Sequence, residues 1–338
     1  MLMNTERAYR VHMVLAAVAM AVLVAVGWWL TGEEKTQRRL TVGGGEDVPL
    51  LVFYTTALAT TPQLPLWSAA AAGDLDGVVR LDVRLWKKPD DLQSLLLAGK
   101  GDMWLGHVEG FARARAQGAP LRLVAVTGWR KFLVVTRETN VTSPGALDGR
   151  ELPYAPAGSP AVPILDKLSG KNGWSVSYAP HEPRQLAMQV TRGAVNTALV
   201  PEPLATMLLN RNDELRVLFQ LEDLYGEWTG GPPRIPLAGI AMHEKVLHEF
   251  PRTVRRLVEI LIRHARLLAA DPARTARVLP PAFQEQLPMQ FLEESLQRDI
   301  ILVRPARDVA PEIERYFEVA FPDLVSELAD LERQLLWR

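Results

Sequence analysis

Residues 90–126 read "DDLQSLLLAGKGDMWLGHVEGFARARAQGAPLRLVAV", and the punctuation of this stretch decides the fold. Two acidic residues open a run of helical apolar spacing that stops at Gly99, as a helix with a favourable first turn and a glycine end should. The short strand "DMWLGH" follows, then the helix "VEGFARARAQG" and the strand "LRLVAVTGW". Strands that alternate with helices at this interval call for a mainly parallel sheet covered on both faces.

Upstream, "VPLLVFYTT" (48–56) is a buried first strand by its apolar and β-branched content, residues 63–72 look helical, and "VVRLDVRLW" alternates as a strand. Residues 36–47, "TQRRLTVGGGED", are polar and glycine-rich and are expected to be a flexible tether. Their GGG is no phosphate loop, because no strand precedes it. Downstream of "KFLVVTRE", the turn-forming loop "TNVTSPGALDG" (139–149) interrupts the pattern. A second α/β series then runs to "YGEWTGGPPRIP" (225–236). Two series separated by two such crossings describe a chain that builds one lobe, leaves for a second and returns. The expected division is lobe I over 48–138, lobe II over 139–228, and a return to lobe I with C-terminal helices over 229–338. In that last part "LAGIAMHEKVLHEFP" (237–251) reads as helical by apolar spacing, and "RTVRRLVEILIRHARLL" places Val254, Leu257, Val258, Leu261, Ile262, Ala265 and Leu268 on one stripe, an ordinary amphipathic surface helix.

Composition removes several classes of function. The 338 residues carry 38 basic and 39 acidic side chains, which predicts no broad nucleic-acid field, and there is no cysteine. Disulfides, thiolate catalysis, zinc–thiolate sites and a lipid-modified N-terminal cysteine are thereby excluded. "HEKVLH" (243–248) misses the zinc-protease spacing by one residue: side chains five apart on a helix are turned by about 140°, so His243 and His248 cannot reach one ion. Nucleophile elbow, phosphate loop and dinucleotide fingerprint are all missing, and neither a metal nor a cofactor is expected. The charge-free run 13–30, "MVLAAVAMAVLVAVGWWL", follows Arg7 and Arg10 and is long enough to cross a bilayer, with Trp28 and Trp29 at one interface. Ala25 and Gly27 equally suit a signal-peptidase site. Residues 1–35 are therefore a membrane anchor or a signal segment, and either version sends the rest of the chain to, or across, a membrane.

The stretch "PYAPAGSPAVPILDKL" (153–168) breaks from a strand through small residues straight into an apolar helix. Ser159 is placed to cap it and Pro160 to occupy its first position, where a missing N–H costs nothing. Bare first-turn amides beside Gly158 also suit an anion or a carbonyl, so plain capping and ligand contact both remain open.

The quoted 90–126 stretch, with "YAPAGSPAVPILDKL", "APHEPRQLAMQVTRGAVNTALVPEPLATML" and "LAGIAMHEKVLHEFPRTVRRLVEILIRHARLLAADPARTA", resembles the nitrate/sulfonate/taurine type of substrate-binding proteins of ABC importers. The resemblance runs from Val48 to about Ala276 and lies in the order of the motifs. It implies an α/β, two-lobed periplasmic-binding-protein fold of type 2 behind an N-terminal transmembrane or signal helix. It implies a small anionic or heterocyclic solute held between the lobes, and an ABC permease with its ATPase as partners. It also implies a bacterial location, with the globular part on the extracytoplasmic side of the membrane. The ligand contacts so implied are Gly158 and Ser159, Thr55 and Thr56 after the first strand, and Gly106 and His107 ending "DMWLGH". Pro201 and Glu202 after "TALV", and the aromatic faces of Trp129 and Trp228, complete the set. A membrane-held sensor or accessory protein would use the same cleft. The related thiamine-pyrimidine synthases share the scaffold, but their cysteine-rich motif has no counterpart here, and the chain is expected not to be an enzyme.

Overall fold

Alternating apolar strands and helices do fold into sheets, and there are two of them. The computed structural model describes residues 40–56, 60–86, 88–280, 289–328 and 330–338. The apolar run 13–30 and residues 36–39 of the expected tether lie outside the described residues. Strands β1 (Leu40–Val42), β2 (Leu50–Thr56), β3 (Arg80–Trp86), β4 (Met103–His107) and β5 (Leu121–Gly128) build the first sheet. Strands β6 (Phe132–Thr136), β7 (Arg150–Tyr154), β8 (Val176–Pro180), β9 (Thr197–Pro201) and β10 (Arg216–Gln220) build the second. The chain then returns to the first sheet with β11 (Ala238–His243) and β12 (Arg304–Pro305). The strand orders are β1-β3-β2-β4-β11-β5-β12 and β10-β6-β9-β7-β8.

The sheets are mixed, where a mainly parallel arrangement was expected. β2 runs parallel to β3 and β4, and β7 parallel to β8 and β9. β11 is antiparallel to both β4 and β5, and β6 to both β9 and β10. One cause covers both exceptions. Strands fed by a helix end at the edge from which the chain leaves for the other sheet; a strand arriving from the other sheet enters at that edge and must run away from it.

The same step corrects the lobe boundary. β5 ends at Gly128 and β6 begins at Phe132, so residues 129–131 make the first crossing and "KFLVVT" belongs to the second sheet. The loop at 139–149, read as that crossing, only joins β6 to β7 and contains the 3-10 turn Pro144–Leu147. The return falls at 230–237, overlapping the expected 225–236, although residues 225–229 finish the helix Leu221–Thr229.

Residues 40–47 are not a tether either. β1 is an edge strand beside β3 and runs directly into the glycines, where no strand was expected, and the Gly77 amide donates to the Gly44 carbonyl at 2.7 Å. Gly43, at φ +77, lets the backbone pass so close that a Cβ there would lie 2.0 Å from the Val79 carbonyl oxygen. The glycine run serves close approach as well as freedom.

The expected surface helix is Pro251–Ala270, and it packs on the helix Leu64–Ala71. Its buried face holds Val254, Leu257, Val258, Leu261, Ala265 and Leu268 as expected, together with Ile260 and His264, while Ile262 is half-buried. A continuous apolar cluster joins the sheets: Trp104 of β4 with Phe111 of the helix Val108–Ala116, Leu152 of β7 with Ile164 of the helix Ala161–Lys171, and Ile313 and Phe317 of the helix Ala310–Ala320. Each such fully buried side chain contributes roughly 1.5–3 kcal/mol.

Candidate functional site

Open α/β sheets offer ligands the loops beyond the carboxyl ends of their strands. On the first sheet that edge begins with Thr55 and Thr56, both buried at the end of β2. The Thr56 carbonyl accepts from Gln63 Nε2 at 3.0 Å, whereas Thr55 Oγ1 is buried with no hydrogen-bond partner. His107 ends β4, and its Nδ1 lies 3.3 Å from Glu109 Oε1. The Tyr316 hydroxyl donates to the other Glu109 oxygen at 3.2 Å, fixing the carboxylate and through it the imidazole. Burial works against a charged His107 and so does the Lys131 ammonium, but the attraction and hydrogen bond of Glu109 outweigh them and hold its pKa above the usual histidine value. On β5, Ala238 pairs with Gly128 but Gly239 pairs with Val126, so Thr127 is the extra residue of a β-bulge. Bulges re-aim a side chain. Thr127 Oγ1 is buried and unpartnered like Thr55 Oγ1.

The second sheet answers with carboxylates. Glu202, 2% exposed after β9, accepts from the Thr206 amide at 3.0 Å and hydroxyl at 2.9 Å, and from Arg298 Nε at 2.7 Å. Glu222 opens the helix after β10, where its Oε1 receives the amides of Lys131 at 2.7 Å and Phe132 at 3.1 Å while Oε2 stays unpartnered. Burial pushes its carboxyl up to about 7. Burial likewise raises Asp299 to about 6, against the pull of Lys131; Thr61 donates to its Oδ2 and the Ile300 amide to Oδ1 at 2.7 Å. Lys131, on the first crossing, completes the set. Its Nζ is buried without a hydrogen-bond partner, within electrostatic reach of Asp299 and His107.

The sequence candidates divide accordingly. Thr55, Thr56 and His107 end strands of the first sheet; Pro201, which ends β9, and Glu202 hold the matching place on the second. Gly106 is a packing position: a Cβ there would lie 2.4 Å from Leu92 Cδ2 and 3.2 Å from Phe111 Cζ. Trp129 is 1% exposed, with Nε1 donating to the Leu302 carbonyl at 2.9 Å and Arg234 4.9 Å from its ring centroid, so it is core of the crossing and offers no open face. The Trp228 ring is covered by Lys171 Nζ at 4.6 Å, between two helices of the second lobe. Gly158 is exposed at φ +76 and Ser159 is buried. The helix begins one residue later than expected, at Ala161 with Pro160 as N-cap, and Ser159 Oγ still accepts the Ala161 amide at 3.3 Å.

Lys131, Thr61, Thr127, Thr206, Glu222, Arg298 and Asp299 were not singled out by sequence. Arg130–Lys131 inside "GWRKFLVV" and Arg298–Asp299 inside "LQRDIILV" are charged pairs set against apolar runs, the one signal that marks them. A Ser68–His264–Asp74 chain, with Ser68 Oγ 2.8 Å from Nδ1 and Asp74 Oδ2 2.7 Å from Nε2, lies elsewhere, between the helices Leu64–Ala71 and Pro251–Ala270. Ser68 is 2% and His264 1% exposed, so no substrate reaches the hydroxyl. Among the described residues no group of three His, Asp or Glu is placed to hold a metal ion.

A family model described as NMT1/THI5 like matches residues 80–275. No curated protein matches at a significant level. Among solved structures, the periplasmic aliphatic sulphonate binding protein of Escherichia coli superposes with a TM-score of 0.67 at 13% identity, over 87% of this chain and 93% of that one. The alkanesulfonate-binding protein of Xanthomonas axonopodis pv. citri, bound to MOPS, gives 0.58 at 17% identity over 81% and 97%. An ABC transporter protein of Parabacteroides distasonis gives 0.64 at 16% identity over 83% and 96%. At these identities the likeness carries the fold, that of a two-lobed periplasmic binding protein.

Proposed function

Because the chain belongs to the NMT1/THI5-like family, we propose that it is the extracytoplasmic substrate-binding component of an ABC importer, capturing a small solute between its two sheets. One observation carries this reading: of the nine buried side-chain polar atoms without a partner among the described residues, four (Thr55 Oγ1, Thr127 Oγ1, Lys131 Nζ and Glu222 Oε2) belong to residues at or beside the strand ends that border the first crossing and its edge of the sheets. A buried polar atom without a partner costs free energy, and a bound solute with complementary groups recovers it. The ammonium and the two hydroxyls favour an anionic solute over a neutral heterocycle. Glu202 is engaged by Arg298 and Thr206, so the anion is received on the first-sheet side, by Thr55, Thr127 and Lys131, with His107 at the rim. Ser159 and Gly158 contribute a helix entrance from the second sheet.

Residues 13–30 then serve as a membrane anchor or a cleaved signal, leaving the two lobes on the outer face of a bacterial membrane to meet a permease and its ATPase. A sensor would use the same cleft. An enzyme of the synthase branch would require turnover, and the family description alone favours it. Thermal unfolding of the full chain, followed by tryptophan fluorescence, tests the reading against alkanesulfonates, nitrate, pyrimidines and aromatic acids. A ligand at 100 times its Kd adds about 2.7 kcal/mol of stability. Stabilisation by an anion without chemical change in it supports a binding protein; a panel with no shift removes the importer reading, and consumption of the ligand moves it to the enzyme.

A further inference from the structure

The interlobe junction contains a third link besides the two crossings. After the helix Met289–Ser295, which packs on the second lobe's helix Leu204–Arg211 and fastens there through Asn210 Nδ2 to Glu294 Oε2 at 2.5 Å, the chain runs back towards β12 on the first sheet. Along that run its side chains and carbonyls bond alternately to both lobes. Arg298 Nε sits 2.7 Å from Glu202, its guanidinium also donates to Thr206, and its carbonyl accepts from Gln220 Nε2 and Arg130 Nε at 3.0 Å each. The next residue, Asp299, accepts from Thr61 at the first sheet's edge, and the Leu302 carbonyl accepts from Trp129 on the first crossing.

We propose that residues 298–302 are a built-in strap that sets the angle between the two lobes, with Arg298 seated on Glu202 and Thr206 of one lobe and Asp299 on Thr61 of the other. Apolar contacts between the lobes tolerate a change of angle, because dispersion and burial have no direction. Hydrogen bonds and ion pairs weaken steeply when misaligned, so the strap's contacts are the ones that select an angle. The Glu202 side chain is 1% and that of Arg298 29% exposed, so opening which parts them leaves a buried carboxylate without its counter-charge, held by Thr206 alone. Cleft opening is therefore resisted by side chains as well as by the hinge backbone. The strap also withdraws Glu202 from any ligand while it is seated.

The chain has no cysteine, so a label pair can be introduced cleanly. Leu97 on the first lobe and Met188 on the second are 45% and 53% exposed. With Leu97→Cys and Met188→Cys spin-labelled in the full chain, the inter-label distance distribution is measured for the parent, for Arg298→Ala and for Thr61→Val. Longer or broader distances in either variant support the strap. Parent-like distributions in both, with far-UV circular dichroism unchanged, overturn it; should Arg298→Ala fail to fold, Thr61→Val decides alone. No ligand enters the measurement, so it can fail while the binding reading stands, and the reverse.

Discussion

Lys131 carries a charged group into a place that gives it no hydrogen-bond acceptor, and a fold tolerates that cost where function needs the charge. Replacing it by methionine keeps the length of the stem and removes the buried ammonium. Lys131→Met is expected to leave the ligand-free protein as stable or more stable, by about 1–3 kcal/mol. It is also expected to abolish the thermal shift produced by any anionic ligand. Urea unfolding with and without ligand reads both halves; a variant that loses stability and keeps the ligand shift makes Lys131 structural. Thr127 is the companion position. A threonine on a bulge at a strand end is invisible to a period-two pattern, because the extra residue breaks the period that reveals the strand.

At the scale of elements, Gly106 shows how a site candidate becomes a packing residue. It lies in β4 opposite Gly239 of β11, under Leu92 of the helix Pro89–Leu97 and Phe111 of the helix Val108–Ala116. Gly106→Ala is expected to destabilise by about 1–3 kcal/mol through overpacking. A lowered urea midpoint with unchanged ligand affinity confirms packing; an unchanged midpoint with lost affinity returns Gly106 to the ligand. Most helices and strands between Leu50 and Gln220 were legible because apolar spacing and glycine ends report local structure directly, whereas the helix Leu221–Thr229 was hidden by the glycines and prolines that follow it and the strand Ala238–His243 by apolar spacing that reads as helical. The first crossing was not, since β5 passes to β6 through Trp129, Arg130 and Lys131 with no polar loop, and the turn formers after Thr136 drew attention instead. The threonines that end β2 and Glu202 after β9 could be placed at strand ends from the alternation alone. The partners that decide what they do, Arg298 for Glu202 and Asp299 for Thr61, are about a hundred residues or more distant in sequence, and no local pattern contains that pairing.

For the whole molecule, the junction between the lobes makes global stability depend on pH in a direction opposite to ordinary acid denaturation. Glu222 is raised from 4.5 to about 7 and Asp299 from 3.8 to about 6 by burial, so the folded protein holds protons there that the unfolded chain has released. A raised carboxyl contributes stability that is fully present below its unfolded pKa and is lost as pH rises through its folded one. The window therefore runs from about pH 4 to about pH 7. His107, also raised, adds a loss of the same sign as pH climbs through its own titration. Asp74 and Glu138, both lowered, act in the other direction but only once the pH falls to their ordinary values or below. Each pKa unit corresponds to about 1.4 kcal/mol, which bounds the loss at roughly 3 kcal/mol for each of the two carboxyls. Glu222→Gln keeps one oxygen for the two amides it receives and puts an NH2 where the second oxygen is unpartnered, standing in for the protonated acid. Combined with Asp299→Asn, it is expected to flatten the profile. The parent chain is expected to lose stability between pH 5 and pH 7.5 in urea titrations, and the double variant to lose less, keeping only the part that His107 contributes. A parent that gains stability across that range, or a double variant with the parent's slope, shows that the interlobe carboxyls are ionised in the fold and that the buried charge at the junction is balanced in some other way.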